Sequence, residues 1–210
     1  MARLTRAQSQ ARTRERLLET ARRMFLTDGY HATSLDKVAD TAGFSKGAVY
    51  SNFRNKDELC LAVLDGIHAE QIDQLAALLA GRTGEETAAA FAGWAERVVG
   101  DEGWTLLRVE FAAQSRRDPA LRAELAARDQ AVRAAIAALA RRGPTALPPD
   151  DLATALLGLG VGLGIQRVID PAIGAHVLTG TLAALLAAPA PPSAARPGPT
   201  GRIQAADQPG

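Results

Sequence analysis

The chain has 210 residues, of which 47% are hydrophobic, only 4% aromatic and 44 alanine, a length that allows one compact domain or two small ones. Ala, Leu, Arg and Glu far outnumber Val and Ile, which points to an all-α fold and excludes a β-sandwich or barrel. A single cysteine, Cys60, excludes a disulfide framework or a multi-cysteine metal cluster, and 24 basic against 23 acidic side chains give a net charge of +1 that specifies no partner.

The charge is unevenly placed. Residues 1–60 carry eleven basic and seven acidic side chains, and residues 61–210 carry thirteen and sixteen. A basic first quarter on a mildly acidic remainder is the footprint of a nucleic-acid-binding end, or of a solvated arm. The opening lacks the apolar segment of a secretory signal, and Glu15 and Glu19 argue against an organellar transit peptide, so the chain is expected to be cytoplasmic.

A basic arm is expected over residues 1–10. The spacing of Leu17, Leu18, Ala21, Met24 and Phe25 predicts a first helix over roughly residues 10–28, stopped by Gly29. Thr33 and Ser34 offer N-caps, with Asp36 as a capping-box partner of Thr33. Asn55 with Glu58 opens a long helix to about residue 80, and Thr83 with Glu86 opens another ending near Gly100. A helix over Trp104 to Ser115 follows. Asp118-Pro119 starts a run that ends at Arg141, Arg142, Gly143 and Pro144. Asp150 is the expected cap of the next helix, residues 150–168, and Asp170-Pro171 that of the last, residues 171–188, making about nine helices. The tail over residues 189–210 is too rich in Pro, Gly and Ala to pack and is expected to be disordered. Residues 152–166 and 172–188 are uncharged, but they read as buried helices of a core or subunit interface rather than membrane spans, which need about 20 residues.

Residues 33–59 read TSLDKVADTAGFSKGAVYSNFRNKDEL. Leu35, Val38, Ala39 and Ala42 share one face of a helix, Gly43 suits the left-handed conformation of a sharp turn, and Phe44 plugs beneath it. Ser45 caps a second, short helix whose Val49 and Phe53 face inward, leaving Lys46, Gly47, Tyr50 and Ser51 outside. Two short helices joined by about three residues including Gly form a helix-turn-helix, and a small, cationic outer face suits the major groove. An ordinary helical hairpin is the alternative reading of the same pattern.

The stretch resembles the DNA-binding domain of the tetracycline-repressor (TetR) family of bacterial regulators. The matching residues are Phe25, Gly29-Tyr30, Thr33, Val38-Ala39, Ala42-Gly43, Ser45, Gly47, Tyr50, Phe53, Lys56 and Leu59, within residues 11–71. The resemblance implies that Lys46, Gly47 and Ala48 meet base edges, and that Thr33, Ser45, Tyr50, Ser51, Asn52 and Lys56 contact phosphates of a double-stranded operator. Hydroxyls and a lysine suit phosphate oxygens, and Lys46 suits guanine O6 and N7. The arginines before residue 17 add candidate contacts to flanking DNA.

By the same resemblance, residues 72–188 form a helical ligand-sensing and dimerisation domain whose last two helices pair with those of a second subunit. In residues 150–188, Gly158/Gly162 and Gly160/Gly164 recur at i, i+4, a spacing that lets helix backbones approach closely. An intrachain crossing would use them equally well. Gly158, Gly162, Leu178, Leu182 and Leu185 are the candidate dimer contacts. Phe91, Trp94, Trp104, Arg108, Phe111 and Gln114 are the candidate ligand pocket, although aromatics at helical spacing also serve as plain core. His31 is placed near the DNA-facing edge, and His68 and His176 read as ordinary helix residues. No metal motif, catalytic constellation or cofactor fingerprint is visible, and the glycine run of residues 158–164 lacks the third glycine of a dinucleotide site. The expected protein is therefore a homodimeric repressor released from a palindromic operator by a small-molecule effector, with no cofactor, enzymatic activity or membrane partner. A DNA-binding regulator without small-molecule induction is the second reading.

Overall fold

The structure is a computed structural model that describes residues 5–80, 84–142 and 145–187. Among the described residues there are nine helices and no strand. They are α1 (Arg6–Ala32), α2 (Leu35–Ala42), α3 (Lys46–Tyr50), α4 (Lys56–Leu78), α5 (Gly84–Val99), α6 (Glu102–Ser115), α7 (Pro119–Ala140), α8 (Pro149–Ile169) and α9 (His176–Ala187). The expected Thr83 cap and the Pro-rich tail lie outside the described residues.

Local hydrogen bonding sets most of the boundaries. α1 begins at Arg6, inside the expected arm, because the Thr5 hydroxyl accepts the Gln8 N–H and the Gln8 carboxamide accepts the Thr5 N–H. α1 is broken at Gly29, with φ 84° and ψ 170°, a conformation open essentially only to glycine. The cap of α2 is Ser34, not Thr33: the Thr33 hydroxyl donates instead to the Gly29 carbonyl at 2.9 Å. Gly43, with φ 74°, turns the chain into α3, which Ser45 caps. Asn55 caps α4 and Asp101 caps α6 by accepting the Trp104 N–H.

Two expected caps have other roles. Asp150 lies in the first turn of α8, which follows Pro148-Pro149, and pairs with Arg141 at 3.0 Å. Asp170 accepts the Ala172 N–H in a turn, and α9 starts only at His176, because Glu96 of α5 takes the Ala175 N–H.

The first apolar core joins α1–α4, where Leu17, Phe25, Val38, Val49 and Phe53 are fully or almost fully buried, and it continues without interruption into Trp104, Leu107 and Phe111 of α6. The boundary expected at residues 71/72 falls within α4, which runs through it unbroken. A second core holds Ala95 and Val99 of α5, Leu163 of α8 and Leu178 of α9. α8 is long and apolar enough to cross a membrane by length and composition, yet Leu152, Ala153, Leu163 and Gly164 are buried within the chain. Gly164 lets α8 approach α6: a Cβ there would stand 2.6 Å from the Thr105 hydroxyl oxygen. This glycine of the repeated pair serves an intrachain crossing, whereas Cβ atoms added at Gly158 and Gly162 would meet nothing within 4 Å.

Gly29 sits against α6 as well, since an added Cβ would stand 3.0 Å from the Glu110 carboxylate. Gly29→Ala combines that crowding with a disallowed backbone conformation, and we expect it to lower the unfolding free energy by about 1–3 kcal/mol. Urea titration followed by circular dichroism measures this; an unchanged midpoint contradicts it.

Candidate functional site

The helix-turn-helix is held from behind. Val49 and Phe53 anchor α3 in the core, and two arginines of α1 clamp the motif from its flank. Arg14 lies over the Phe53 ring at 4.3 Å and donates to the Asn52 carbonyl at 3.3 Å, next to the end of α3. Arg16 lies over the Phe44 ring at 4.9 Å and donates to the Ala42 carbonyl at the end of α2. Each guanidinium stacks on an aromatic ring and satisfies a carbonyl at or beside a helix C-terminus. The sequence presents both among the arginines expected to contact flanking DNA, because their pairing within the chain depends on how α1 crosses the motif.

The outer face carries Lys46 and Gly47, both exposed, with Ala48 half-buried behind them. Lys46 Nζ lies 2.5 Å from Asp36 Oδ2, and that carboxylate raises the lysine pKa. Tyr50 is 55% exposed, and its hydroxyl stands 3.5 Å from Asp36 Oδ1. Asp36 thus gathers the two most prominent side chains of α3. Ser51 Oγ and Asn52 Nδ2 both donate to the Ala48 carbonyl, while Ser45 Oγ accepts the Ala48 N–H.

Two of the six expected phosphate contacts point inward. Thr33 is only 1% exposed and bonds within the chain, so it lacks an accessible hydroxyl. Lys56 is half-buried; its ammonium donates to the Tyr30 carbonyl at 3.0 Å and lies over the Tyr30 ring at 4.0 Å. Burial holds the lysine pKa below its usual value. Both residues belong to a joint around Tyr30. The Tyr30 hydroxyl donates to Asp57, and the Tyr30 N–H donates to Glu110 Oε2 at 2.6 Å. Burial and the Asp57 carboxylate raise the phenol pKa strongly. Exposed His31 stands edge-on to the Tyr30 ring.

The second site is a cavity of about 110 Å³ lined by residues of α4–α9. Of the expected pocket residues, Phe91, Trp94, Trp104 and Arg108 line it. Phe111 does not: it is fully buried in the first core, 5.2 Å from the Tyr30 ring. Gln114 also lies away from the lining, six residues beyond Arg108, where α6 leaves the cavity. A second cavity of about 430 Å³ shares Leu75, Phe91, Ile136 and Leu156 with the first and extends to Leu182 and Arg142. Leu178 is buried inside the chain and lines the first cavity, so it is not free to face a second subunit. Leu185 is half-buried, and its carbonyl accepts the Ala146 N–H at 3.0 Å.

His68, expected to be an ordinary helix residue, stands in the cavity wall, edge-on to Trp104 at 5.1 Å. Its two ring nitrogens have no hydrogen-bond partner, and burial beside Arg108 lowers its pKa to about 4. Arg108 pairs with Asp129 at 3.9 Å, Arg167 with Glu96 at 2.6 Å, and Glu110 with neither arginine. Among the described residues no group of three His, Cys, Asp or Glu could hold a metal ion.

Residues 17–63 match the family model described as "Bacterial regulatory proteins, tetR family". Residues 82–188, just over half the chain, match that described as "Tetracyclin repressor-like, C-terminal domain". The chain belongs to the tetracycline-repressor family of bacterial regulatory proteins. It is 42% identical over 76 residues to the HTH-type transcriptional regulator TtgR of Pseudomonas putida, covering 36% of this chain and 35% of that protein. To the HTH-type transcriptional activator FasR of Mycolicibacterium smegmatis it is 49% identical over 51 residues, 24% of this chain and 23% of that one. The chain thus matches about a third or less of the length of these relatives. Its fold is similar to that of the reduced form of NemR from E. coli, with a TM-score of 0.65 at 21% identity, covering 84% of this chain and 99% of that one.

Two expectations follow for the joint and the cavity. Lys56→Met removes a charge-assisted bond to a half-buried carbonyl and should lower the unfolding free energy by about 1–3 kcal/mol; an unshifted denaturant midpoint would speak against it. His68 titrates near 6.5 when unfolded but near 4 when folded, so the native state disfavours its protonation. Its neutral form favours the fold above pH 6.5, and that contribution is lost as pH falls towards 4. Stability measured between those values should fall by about 3 kcal/mol less in His68→Gln than in the parent chain, and parallel pH profiles would contradict this.

Proposed function

We propose that the chain is a DNA-binding transcriptional regulator, a repressor that binds a palindromic operator as a homodimer and is released by a small-molecule effector. The observation that carries the reading is the face of α3: Lys46 and Gly47 are exposed at the start of a helix whose opposite side, Val49, is wholly buried. A rigid short helix with small residues and one cation on its outer face can enter a major groove and read a base edge. Lys46, Gly47 and Ala48 are the proposed base contacts, and Ser45, Tyr50, Ser51 and Asn52 the proposed phosphate contacts. Asp36 releases Lys46 when the lysine meets DNA, so the carboxylate penalises any site that offers Lys46 no acceptor of its own.

The dimer is supported by the outer faces of α8 and α9. Ile169 is 80% exposed, Ile165 and Val177 are each about two-fifths exposed, and Gly158 and Gly162 have open space where a side chain would stand. With Leu185 these residues offer an apolar surface for the same helices of a second copy. The effector reading rests on the cavity against α6, the helix that also touches α1 through Glu110 and Phe111. Occupancy that moves α6 shifts the joint at Gly29 and Tyr30, and with it the separation of the two recognition helices. Repression is the direction the domain description favours. The FasR name says activator, and the position of the operator relative to the promoter decides between the two.

Footprinting of the full chain on DNA selected from random sequence tests this. We expect a protected site with two inverted halves, and Lys46→Ala should relax preference at one base pair per half by about 1–3 kcal/mol while leaving binding to random DNA nearly unchanged. Equal losses on selected and random DNA would contradict base reading, and a single unrepeated half-site would contradict the dimer.

A further inference from the structure

The polar residues lining the otherwise apolar inner cavity are His68, Gln71, Trp94, Thr105 and Arg108, and each has a donor to offer. Arg108 is a half-buried cation that makes no hydrogen bond among the described residues. Its ion pair with Asp129 is long, at 3.9 Å, and its guanidinium lies 5.4 Å from the centroid of the Trp104 ring. Trp94 Nε1 is buried without a partner and can only donate. His68 is 7% exposed, both of its ring nitrogens lack partners, and as a neutral ring it has one N–H to give. Groups that lose water on folding and gain no partner cost stability, so their retention around one space points to a ligand that satisfies them.

We infer that this cavity binds an amphipathic carboxylic acid, its carboxylate held by Arg108 with His68 and Trp94, and its apolar body passing Phe91 and Leu156 into the adjoining cavity. The inference rests on the effector reading given above and names the chemical class of that effector. A carboxylate only accepts hydrogen bonds, which matches the donor-only guanidinium and indole. Its charge also completes the compensation of Arg108 that Asp129 begins from a distance. A cationic head would meet Arg108 at close range, and a neutral hydroxyl would leave most of the guanidinium donors unmatched. Phe91 and Leu156 line both cavities, so a chain continuing past them stays in apolar surroundings out to Leu182.

Both tryptophans of the chain line the cavity, so intrinsic fluorescence reports its occupancy directly. The full chain is titrated with decanoate, decan-1-ol and decyltrimethylammonium at concentrations below micelle formation, with isothermal calorimetry as a second readout. Decanoate should bind at least about tenfold more tightly than the alcohol, the cation should bind weakest, and Arg108→Met should bring the acid-to-alcohol ratio close to one. Arg108→Lys, which keeps the charge, should retain part of the preference. Alcohol or cation binding as tightly as decanoate overturns the carboxylate assignment, and so does an absence of decanoate binding. In either case operator affinity measured against a chemically mixed set of small molecules still decides the effector reading independently. Release by a non-acidic compound would uphold that reading alone, and release by none would remove both.

Discussion

The break in α1 at Gly29 is the constraint on which the rest of the molecule depends. At φ 84° the chain turns out of the helix, directing the Tyr30 N–H at the Glu110 carboxylate of α6 and the Tyr30 carbonyl at the Lys56 ammonium of α4. The Thr33 hydroxyl takes the Gly29 carbonyl, and Tyr30 reaches Asp57 with its own hydroxyl. Three helices and the start of α2 are thereby fixed to one another through the polar groups of a few residues. Each bond satisfies a group that the interrupted helix would otherwise leave buried and unpaired. The charges alternate as well, with Lys56 between the Tyr30 carbonyl and the acidic pair Asp57 and Glu110, so a half-buried lysine stays compensated.

That joint makes the reading head and the cavity wall parts of one body. α6 lies against Leu26 through Gly103, lines the cavity with Trp104, Thr105 and Arg108, and ends on α1 with Glu110 and Phe111. Gly103 is needed at the near end because a Cβ there would collide with the Leu26 carbonyl. The apolar core follows the same route, running from Phe25 through Tyr30 to Phe111 without a gap. A displacement of α6 therefore has no soft layer in which to be absorbed. Packed interiors pass such shifts on rather than dissipate them.

The sequence was most legible where a local rule decides the outcome. Caps at Ser45, Asn55 and Asp118, the left-handed Gly43 and the apolar faces of α1 and α2 require only neighbours within four residues, and all of them appear in the structure. It was least legible where one residue type has two uses. Thr33 and Lys56 carry groups suited to phosphate, yet the fold turns both onto the α1 break, because Gly29 frees a carbonyl and Tyr30 exposes another. Phe111 belongs to the aromatic group around Trp104, but it lies two helical turns further along α6 and packs on Tyr30 instead. His68 shows the converse. Nothing in its local sequence distinguishes it from a solvated helix residue, and its role follows from the crossing of α4 and α6. The glycines of α8 divide in the same manner, Gly164 packing within the chain and Gly158 and Gly162 facing outward.

DNA-binding helices and cavity wall respond as one unit through Gly29, Tyr30 and Glu110. Amide hydrogen exchange of the full chain, free and saturated with a selected operator, tests it without requiring an effector. Operator binding should slow exchange in α2 and α3 and also in the α6 amides of residues 102–115, and Glu110→Ala should abolish the α6 response while the α2 and α3 protection remains. Protection confined to α1–α3 in the parent chain, with α6 unchanged, would mean that the two parts move independently.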